Sequence, residues 1–133
     1  MPENKDMLYN YVINTAGGVS MCTRNELNII LQKMAQIYRS VYGEELVQVI
    51  LYGSYARGDY SHDSDVDLVA IVRGERVTLQ EKLKKVWDES CELELEYDTI
   101  LSPTVIPYEE FEKYRKDLPY YRNIVQEGVV VVA

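Results

Sequence analysis

Two short motifs in the sequence carry side chains suited to phosphate chemistry: Gly53-Ser54, and Asp65 with Asp67, which begin eleven residues beyond Ser54. A strand that ends in Gly-Ser exposes backbone N–H groups, and a glycine allows a phosphate to approach the chain closely. Asp65 and Asp67 are two residues apart, so on a strand their carboxylates share one face. Two such charges repel each other unless a cation lies between them. Hard oxygen ligands of this kind suit Mg²⁺, which completes its shell with phosphate oxygens. The two motifs therefore predict a site for a metal–phosphate complex.

Two apolar segments are predicted to hold these motifs in place. Residues 46–52 and 66–72 are rich in β-branched and aliphatic side chains, and both are predicted to be buried strands. A helix is predicted before them, because Thr23 and Glu26 have the spacing of a capping box and apolar residues follow at helical intervals. Gly43 is expected to end this helix. The Gly-Ser turn and the aspartates would thus lie at the ends of two strands.

The second half of the chain is predicted to alternate helices and strands. Thr78 and Glu81 repeat the capping-box spacing, so we expect a helix there. Alternation of Leu93, Leu95 and Tyr97 with glutamates indicates that this helix gives way to a strand nearby. A strand is predicted at 99–106, and Pro103 within it indicates an edge strand or a bulge. The remaining predicted elements are a helix at 108–115, a helix from Pro119 and a strand at 129–132. The predicted fold class is α/β or α+β, with a small mixed sheet and helices packed on one side.

Several other side chains near the motifs have competing interpretations. Arg57 suits a phosphate contact, and pairing with Asp59 at the surface is equally expected. His62 is interpreted as a solvated loop residue rather than a ligand or base. Tyr52 and Tyr55 flank the Gly-Ser turn, where either could stack on a base, but core packing is the favoured prediction.

Composition narrows the class of protein. With 14 Lys and Arg against 22 Asp and Glu, the net charge of −8 disfavours a protein that holds nucleic acid along a basic stripe. Two cysteines are too few for a disulfide scaffold, and no apolar run reaches the length of a membrane span. We expect a cytoplasmic protein with one domain over residues 1–133. Within it, residues 1–22 are predicted to be an N-terminal extension, in which Leu8, Tyr11 and Val12 are spaced for a short helix.

Residues 53–68, GSYARGDYSHDSDVDL, closely resemble the signature of the DNA polymerase beta-like nucleotidyltransferase superfamily. The Ala-Arg-Gly after Gly-Ser and the Ser-Asp-x-Asp-Leu ending resemble its minimal nucleotidyltransferase branch in particular, as do a later Tyr-Asp and the terminal Tyr-Arg-Asn-Ile…Glu-Gly-Val-Val. The resemblance implies a polymerase beta-like palm that binds a nucleoside triphosphate, ATP in this branch, with Mg²⁺ in a two-metal site. An acceptor hydroxyl would attack the α-phosphorus and pyrophosphate would leave.

The resemblance also implies roles for individual residues. Gly53, Ser54 and Arg57 would hold the triphosphate, and Asp65 and Asp67 would bind metal. The family has a third carboxylate on a later strand, as general base or as ligand to the catalytic metal. We assign this third carboxylate to Asp98. Glu96 is the alternative, because on a strand its side chain would face the same side as that of Asp98.

The sequence leaves more than one class of acceptor open. The predicted elements account for nearly all of the chain, so we expect the acceptor to come from a partner or from self-association. In the minimal branch the usual partner is a helical HEPN toxin, to which the nucleotidyltransferase, as antitoxin, transfers AMP on a tyrosine. An aminoglycoside-type enzyme that acts on a small molecule, and a non-catalytic antitoxin that covers its partner, remain alternatives.

Overall fold

The computed structural model describes residues 24–61 and 63–133, and within them a four-stranded sheet forms the centre of the fold. The strands are β1 (Leu46–Tyr52), β2 (Val66–Val72), β3 (Leu101–Pro107) and β4 (Val129–Val132). All four positions follow the apolar segments of the sequence, so these predictions are confirmed to within two residues at each end.

Among the described residues, five α-helices connect and cover the strands. They are α1 (Arg24–Tyr42), α2 (Ser54–Arg57), α3 (Arg76–Tyr97), α4 (Tyr108–Tyr114) and α5 (Pro119–Glu127), and a 3-10 turn (Gly43–Glu45) follows α1. Gly43 ends α1 in a left-handed conformation (φ 62°), and Pro119 is the first residue of α5, both as predicted. No helix in the described part of the chain is long and apolar enough to cross a membrane.

The sheet is mixed, with the strand order β3-β2-β1-β4. β1 pairs antiparallel with both β2 and β4, while β2 pairs in parallel with β3. A parallel pair needs a crossover connection, and the long helix α3 supplies it. β3 lies at an edge of the sheet, which agrees with the prediction from Pro103, because proline has no N–H to donate to a neighbouring strand.

Helices α1 and α3 bury one face of the sheet. The apolar stripe of α1, including Ile30, Met34 and Tyr38, packs on Leu51 and Leu68 of the central strands. The mixed sheet backed by helices is therefore confirmed. This layer leaves the opposite face available for other contacts.

The short helices α4 and α5 cover part of that opposite face. Phe111 and Ile124 pack there against Val69 and Ile71 of β2. The expectation that helices lie on one side only was therefore incomplete, because the apolar residues of α4 and α5 also need burial. The part of this face near the start of β2 carries the aspartates instead.

Two predictions about helix boundaries were wrong. Thr78 does not cap α3, because the helix begins at Arg76 after Glu75, and the Leu79 N–H already bonds to the Glu75 carbonyl at 2.9 Å. The alternation of Leu93, Leu95 and Tyr97 lies on the same helix, and Leu95 is 85% exposed. Over so short a segment, an exposed leucine on the solvent side of a helix produces the same alternation of apolar and polar residues as a strand. The predicted cap at Thr23, the helix near residues 8–12, the extension 1–22 and His62 lie outside the described residues.

Candidate functional site

The Gly53-Ser54 turn is the tight junction between β1 and α2. Gly53 has φ 76° and ψ −157°, a backbone region that is essentially open only to glycine. Its carbonyl accepts hydrogen bonds from the N–H groups of Ala56 and Arg57 at 3.1 and 3.0 Å. Gly58, also at positive φ (86°), ends this single helical turn. The turn therefore presents Ser54 at the end of a buried strand, as the sequence predicted.

The two aspartates lie at the start of β2, on the sheet face that carries α4 and α5. Asp67 is the second residue of the strand and alternates with buried Val66 and Leu68, which point to the other layer. Partial burial and, after it, the charge of Asp65 raise the pKa of Asp67, and Arg57 opposes this only in part. The carboxylates are thus close enough to repel, which is the electrostatic condition that a cation relieves.

Gly53 and Asp67 are in direct proximity across the β1–β2 pair. The register places Tyr52 opposite Asp67, so Gly53 is the first residue beyond that pair. A Cβ on Gly53 would lie 2.3 Å from Oδ2 of Asp67. The structure therefore brings the predicted triphosphate turn and one predicted metal ligand together in one site.

Ser102 is a site residue that the sequence analysis missed. It pairs in register with Asp67 across the parallel β2–β3 ladder, and its hydroxyl donates to Oδ2 of Asp65 at 3.2 Å. The neighbouring strand thus offers a serine where the family resemblance implies a carboxylate. Strand parity with Thr104 and Ile106 was visible in the sequence, but only the register of the parallel pair places Ser102 beside the aspartates.

Asp98 and Glu96 are placed differently from the prediction, since neither lies on a strand. Glu96 is on α3 and borders a groove between α1 and α3 that also contains Lys33, so its proposed strand parity with Asp98 was wrong. Asp98 caps α3 in a left-handed conformation (φ 50°) and is exposed, three residues before β3. The role of Asp98 stays a prediction.

Arg57 makes the surface pair that the sequence offered as one of two alternatives. Its guanidinium contacts Asp59 at 3.1 Å and also Glu127 of α5 at 3.2 Å. These side chains are all well exposed, so the pairs add little to stability. Arg57 also borders a cavity together with Gly53, and its contact with phosphate stays a prediction.

The two tyrosines that flank the turn have different roles. Tyr55 is buried and stacks on Tyr60 with ring centroids 4.4 Å apart, so it belongs to the core. Tyr52 is half-buried, and its hydroxyl lies 3.0 Å from that of Tyr120 on α5. Burial, with the Tyr120 contact second, raises the pKa of the Tyr52 hydroxyl well above its ordinary value. Tyr52 therefore carries a neutral phenol into the cavity beside Gly53.

Comparison with known proteins gives the family. A model of the nucleotidyltransferase domain matches residues 28–132, which include the Gly-Ser turn, both aspartates and all four strands. The chain belongs to this family. The resemblance drawn from residues 53–68 is thus confirmed, and the protein is a nucleotidyltransferase.

Relatives of this nucleotidyltransferase occur in Methanocaldococcus jannaschii. "Putative protein adenylyltransferase MJ0141" is 38% identical over 80 residues, which cover 60% of this chain and 79% of the relative. A second, MJ0604, has the same form of name and is 29% identical over 101 residues, covering 76% of this chain and 93% of the relative. Among solved structures, a crystal structure of the toxin-antitoxin MntA-HpeT aligns with a TM-score of 0.48 at 13% identity, over 76% of this chain and 71% of that one.

The donor set of the nucleotidyltransferase suits a hard divalent cation in part. Asp65, Asp67 and the Ser102 hydroxyl offer oxygen atoms. Partial burial and, after it, the charge of Asp65 raise the pKa of Asp67, and a cation would relieve that repulsion. Within residues 24–61 and 63–133, no group of three or more His, Cys, Asp or Glu side chains is placed to hold a metal. Two carboxylates with phosphate oxygens are, however, the usual ligand set of Mg²⁺.

Proposed function

We propose that this nucleotidyltransferase transfers AMP from Mg²⁺-ATP to a tyrosine of a helical HEPN-type toxin and acts in the cytoplasm as its antitoxin. The observation that carries the enzymatic part is the proximity of Gly53 to Asp67. It unites a phosphate-binding turn with a pair of repelling carboxylates. The protein acceptor is supported by the names of the relatives and by the resemblance of residues 53–68 to the minimal branch.

In this proposal Gly53 and Ser54 hold the triphosphate. Gly53 has no side chain, which permits its positive φ and lets a phosphate approach the backbone of the turn. The Ser54 hydroxyl donates to a phosphate oxygen, and Arg57 contributes a cation from the rim of the cavity. The triphosphate would thus be fixed with its reacting phosphorus toward the aspartates.

Asp65 and Asp67 would hold Mg²⁺, in the two-metal arrangement that the family resemblance implies. When bound, the metal supplies positive charge that stabilises the attacking and leaving oxygens. The role of the chain is to keep both carboxylates on one rigid strand end, where the hydrogen bond from Ser102 orients Asp65. Ordered ligands of this kind reduce the reorganisation that the reaction requires.

Asp98 is proposed to take the proton of the acceptor hydroxyl. The segment that follows it leads to the same end of the sheet, because the Val66 N–H bonds to the Ile100 carbonyl at 2.9 Å. Asp98 is exposed there and free of a strand's geometric constraint. A general base must reach the acceptor proton, and an exposed carboxylate two residues before the Ile100 contact is open to an incoming acceptor.

The test is transfer of α-labelled AMP to a co-expressed helical partner encoded beside the gene, followed by mass spectrometry of the partner's tyrosines. We expect labelled tyrosine with the wild type and none with Asp65→Asn. Asp63→Asn is the matched control, because Asp63 is an exposed turn residue two positions earlier. It should transfer within about twofold of wild type.

Three results would contradict the proposal. Full transfer by Asp65→Asn would exclude the carboxylate pair from the site. Label found on an RNA or an aminoglycoside instead of the partner would establish a different acceptor. Neutralisation of the partner without any labelled product would establish a binding antitoxin rather than an enzyme.

A further inference from the structure

Two tyrosine hydroxyls outside the motifs meet at the candidate site. The hydroxyl oxygens of Tyr52 and Tyr120 are 3.0 Å apart, and the rings pack edge to face with centroids separated by 6.1 Å. Tyr52 pairs in register with Asp67, so this contact anchors the first turn of α5 over the edge of the carboxylate site. The contact therefore holds the phenol of Tyr120 beside Tyr52, the residue that precedes Gly53.

Tyr120 shares a cavity with the predicted triphosphate turn. The cavity encloses about 220 Å³ and is bordered by Tyr52, Gly53, Arg57, Tyr120, Asn123 and Glu127. Tyr120 is 48% exposed, so its hydroxyl is accessible while the Tyr52 contact holds it. A tyrosine hydroxyl, the acceptor group of the proposed reaction, thus borders the same cavity as Gly53 and Arg57, two of the residues proposed to hold the triphosphate.

Three other described tyrosines are buried or have hydroxyls that donate hydrogen bonds to groups outside this cavity. Tyr55 is buried in a ring stack, and the hydroxyl of Tyr121 donates to Glu110. Tyr38 donates to the Thr104 carbonyl from the helical layer on the other face of the sheet. Tyr120 combines exposure with a place in the cavity of Gly53, which these three do not.

We propose that Tyr120 is a self-modification site, which the enzyme adenylylates within its own chain; this rests on the proposed AMP transfer. The Tyr120 oxygen forms a bond to the α-phosphorus of ATP, and the bond from that phosphorus to the bridging oxygen of the β-phosphate breaks. Pyrophosphate leaves, and the phenol proton passes to solvent water. The product is an AMP ester on the first turn of α5, with no oxidant or further reactant required.

Modification of Tyr120 should block further AMP transfer within the same chain. An AMP group on Tyr120 would occupy the cavity beside Gly53 and Arg57, where the next triphosphate has to bind. Its negative phosphate would also oppose a second polyanion there. We therefore expect no more than one AMP per chain, and weaker binding of Mg²⁺-ATP to the modified protein.

The experiment uses the purified full chain with α-labelled ATP and Mg²⁺, read by intact mass and by peptide mapping. Wild type should gain a single AMP, mapped to Tyr120, and Tyr120→Phe should lose at least 90% of the label. Tyr114→Phe is the matched control, because Tyr114 lies at the end of α4 and does not border the cavity. The labelled fraction at a given time should not change on tenfold dilution, since the reaction is within one chain.

The outcomes separate this inference from the proposed function. An unmodified wild-type chain that binds Mg²⁺-ATP and labels its partner would overturn self-modification alone, as would label mapped to another residue. Loss of labelling on dilution would overturn the intrachain geometry. If neither chain nor partner is labelled and Asp65→Asn binds Mg²⁺-ATP as wild type does, the proposed function fails as well. Peptide mapping of wild type does not depend on how any variant folds.

Discussion

The backbone of Gly53 lies against the carboxylate of Asp67: a Cβ on Gly53 would stand 2.3 Å from Oδ2 and 3.2 Å from Cγ of that aspartate. The antiparallel register that pairs Tyr52 with Asp67 brings them together just where the chain leaves β1. One glycine thus serves two purposes. It allows the positive-φ turn, and it leaves the space that the aspartate occupies.

The first prediction follows from this contact. Gly53→Ala should lower the free energy of unfolding by about 1–3 kcal/mol, because its backbone conformation is closed to other residues. It should also lower AMP transfer about a hundredfold, because Asp67 must move and a misplacement near 1 Å has that effect. Denaturant unfolding and labelled transfer measure the two losses.

Gly43→Ala is the matched control for Gly53→Ala. Gly43 also has positive φ (62°), but a Cβ there would meet nothing within 4 Å. We expect a cost of about 1–2 kcal/mol from backbone strain alone, with transfer within about twofold of wild type. Equal loss of transfer in both variants would show that the Asp67 contact does not matter.

The second prediction separates stability from activity at Asp67. Asp67→Asn removes a charge that partial burial and Asp65 disfavour, so it should raise the melting temperature of the metal-free protein by about 1–2 °C. The same variant should lose transfer and no longer gain stability from Mg²⁺ with ATP. Thermal melting in EDTA and in Mg²⁺-ATP would check both effects. A lower melting temperature in EDTA would contradict the electrostatic argument.

The third prediction concerns the serine beside Asp65. Ser102→Ala removes one hydrogen bond to the carboxylate, worth about 0.5–1.5 kcal/mol, and should lower transfer about 2–10-fold with Mg²⁺-ATP affinity reduced in parallel. Ser90→Ala is the control, because its hydroxyl also donates a local bond, to the Trp87 carbonyl on α3. It should leave transfer unchanged. Calorimetry with Mg²⁺-ATP gives a readout that does not depend on turnover.

The fourth prediction tests Asp98 against Glu96. Asp98→Asn should keep Mg²⁺-ATP binding, which Asp65 and Asp67 supply, yet lose transfer by at least about a hundredfold, the low end for a general base. Glu96→Gln should stay within a few-fold of wild type, because its side chain borders the groove between α1 and α3. Full transfer by Asp98→Asn would remove Asp98 from the reaction.

The fifth prediction is a pH dependence at the contact between α4 and α5. Partial burial alone would raise the pKa of Glu110, but hydrogen bonds from Tyr121 and Arg76 outweigh it and lower this pKa. Because the pKa of Glu110 is lower in the folded state, its ionised carboxylate stabilises the fold at any pH above the unfolded-state pKa, near 4.5. This stabilisation is lost as the pH falls through the folded-state pKa. Glu110→Gln should therefore melt below wild type at pH 7, and the difference should shrink as the pH falls below about 4.5 and through the lowered pKa of Glu110.

Glu112→Gln is the control for this pH dependence. Glu112 of α4 pairs with Arg115, the residue that follows this helix, but both side chains are well exposed. Removal of the Glu112 charge should therefore change the melting temperature little at either pH. A difference for Glu110→Gln that persists unchanged at pH 3 would show that shape rather than charge matters there.

The sequence by itself determined the strands, most of the helices and the local chemistry. The apolar runs at 46–52 and 66–72, Gly53 before Ser54, and the spacing of Asp65 and Asp67 are local features, because strand period and turn geometry act over a few residues. The family followed from the same segment and was confirmed over residues 28–132. The boundary of α3 did not follow, since alternating Leu93, Leu95 and Tyr97 fit both periods over so short a length.

Only the tertiary structure decided which distant residues meet at the site. The parallel register of β2 and β3 sets Ser102 opposite Asp67, and the packing of α5 brings Tyr120 to Tyr52 from 68 residues away. The alternation of side chains along a strand shows which residues share a face of the sheet. It does not show which residues of the next strand lie beside them, because that depends on the register of the two strands. The place of Ser102 beside the aspartates and that of Tyr120 beside Tyr52 therefore depend on how the sheet and α5 pack, which no local pattern records.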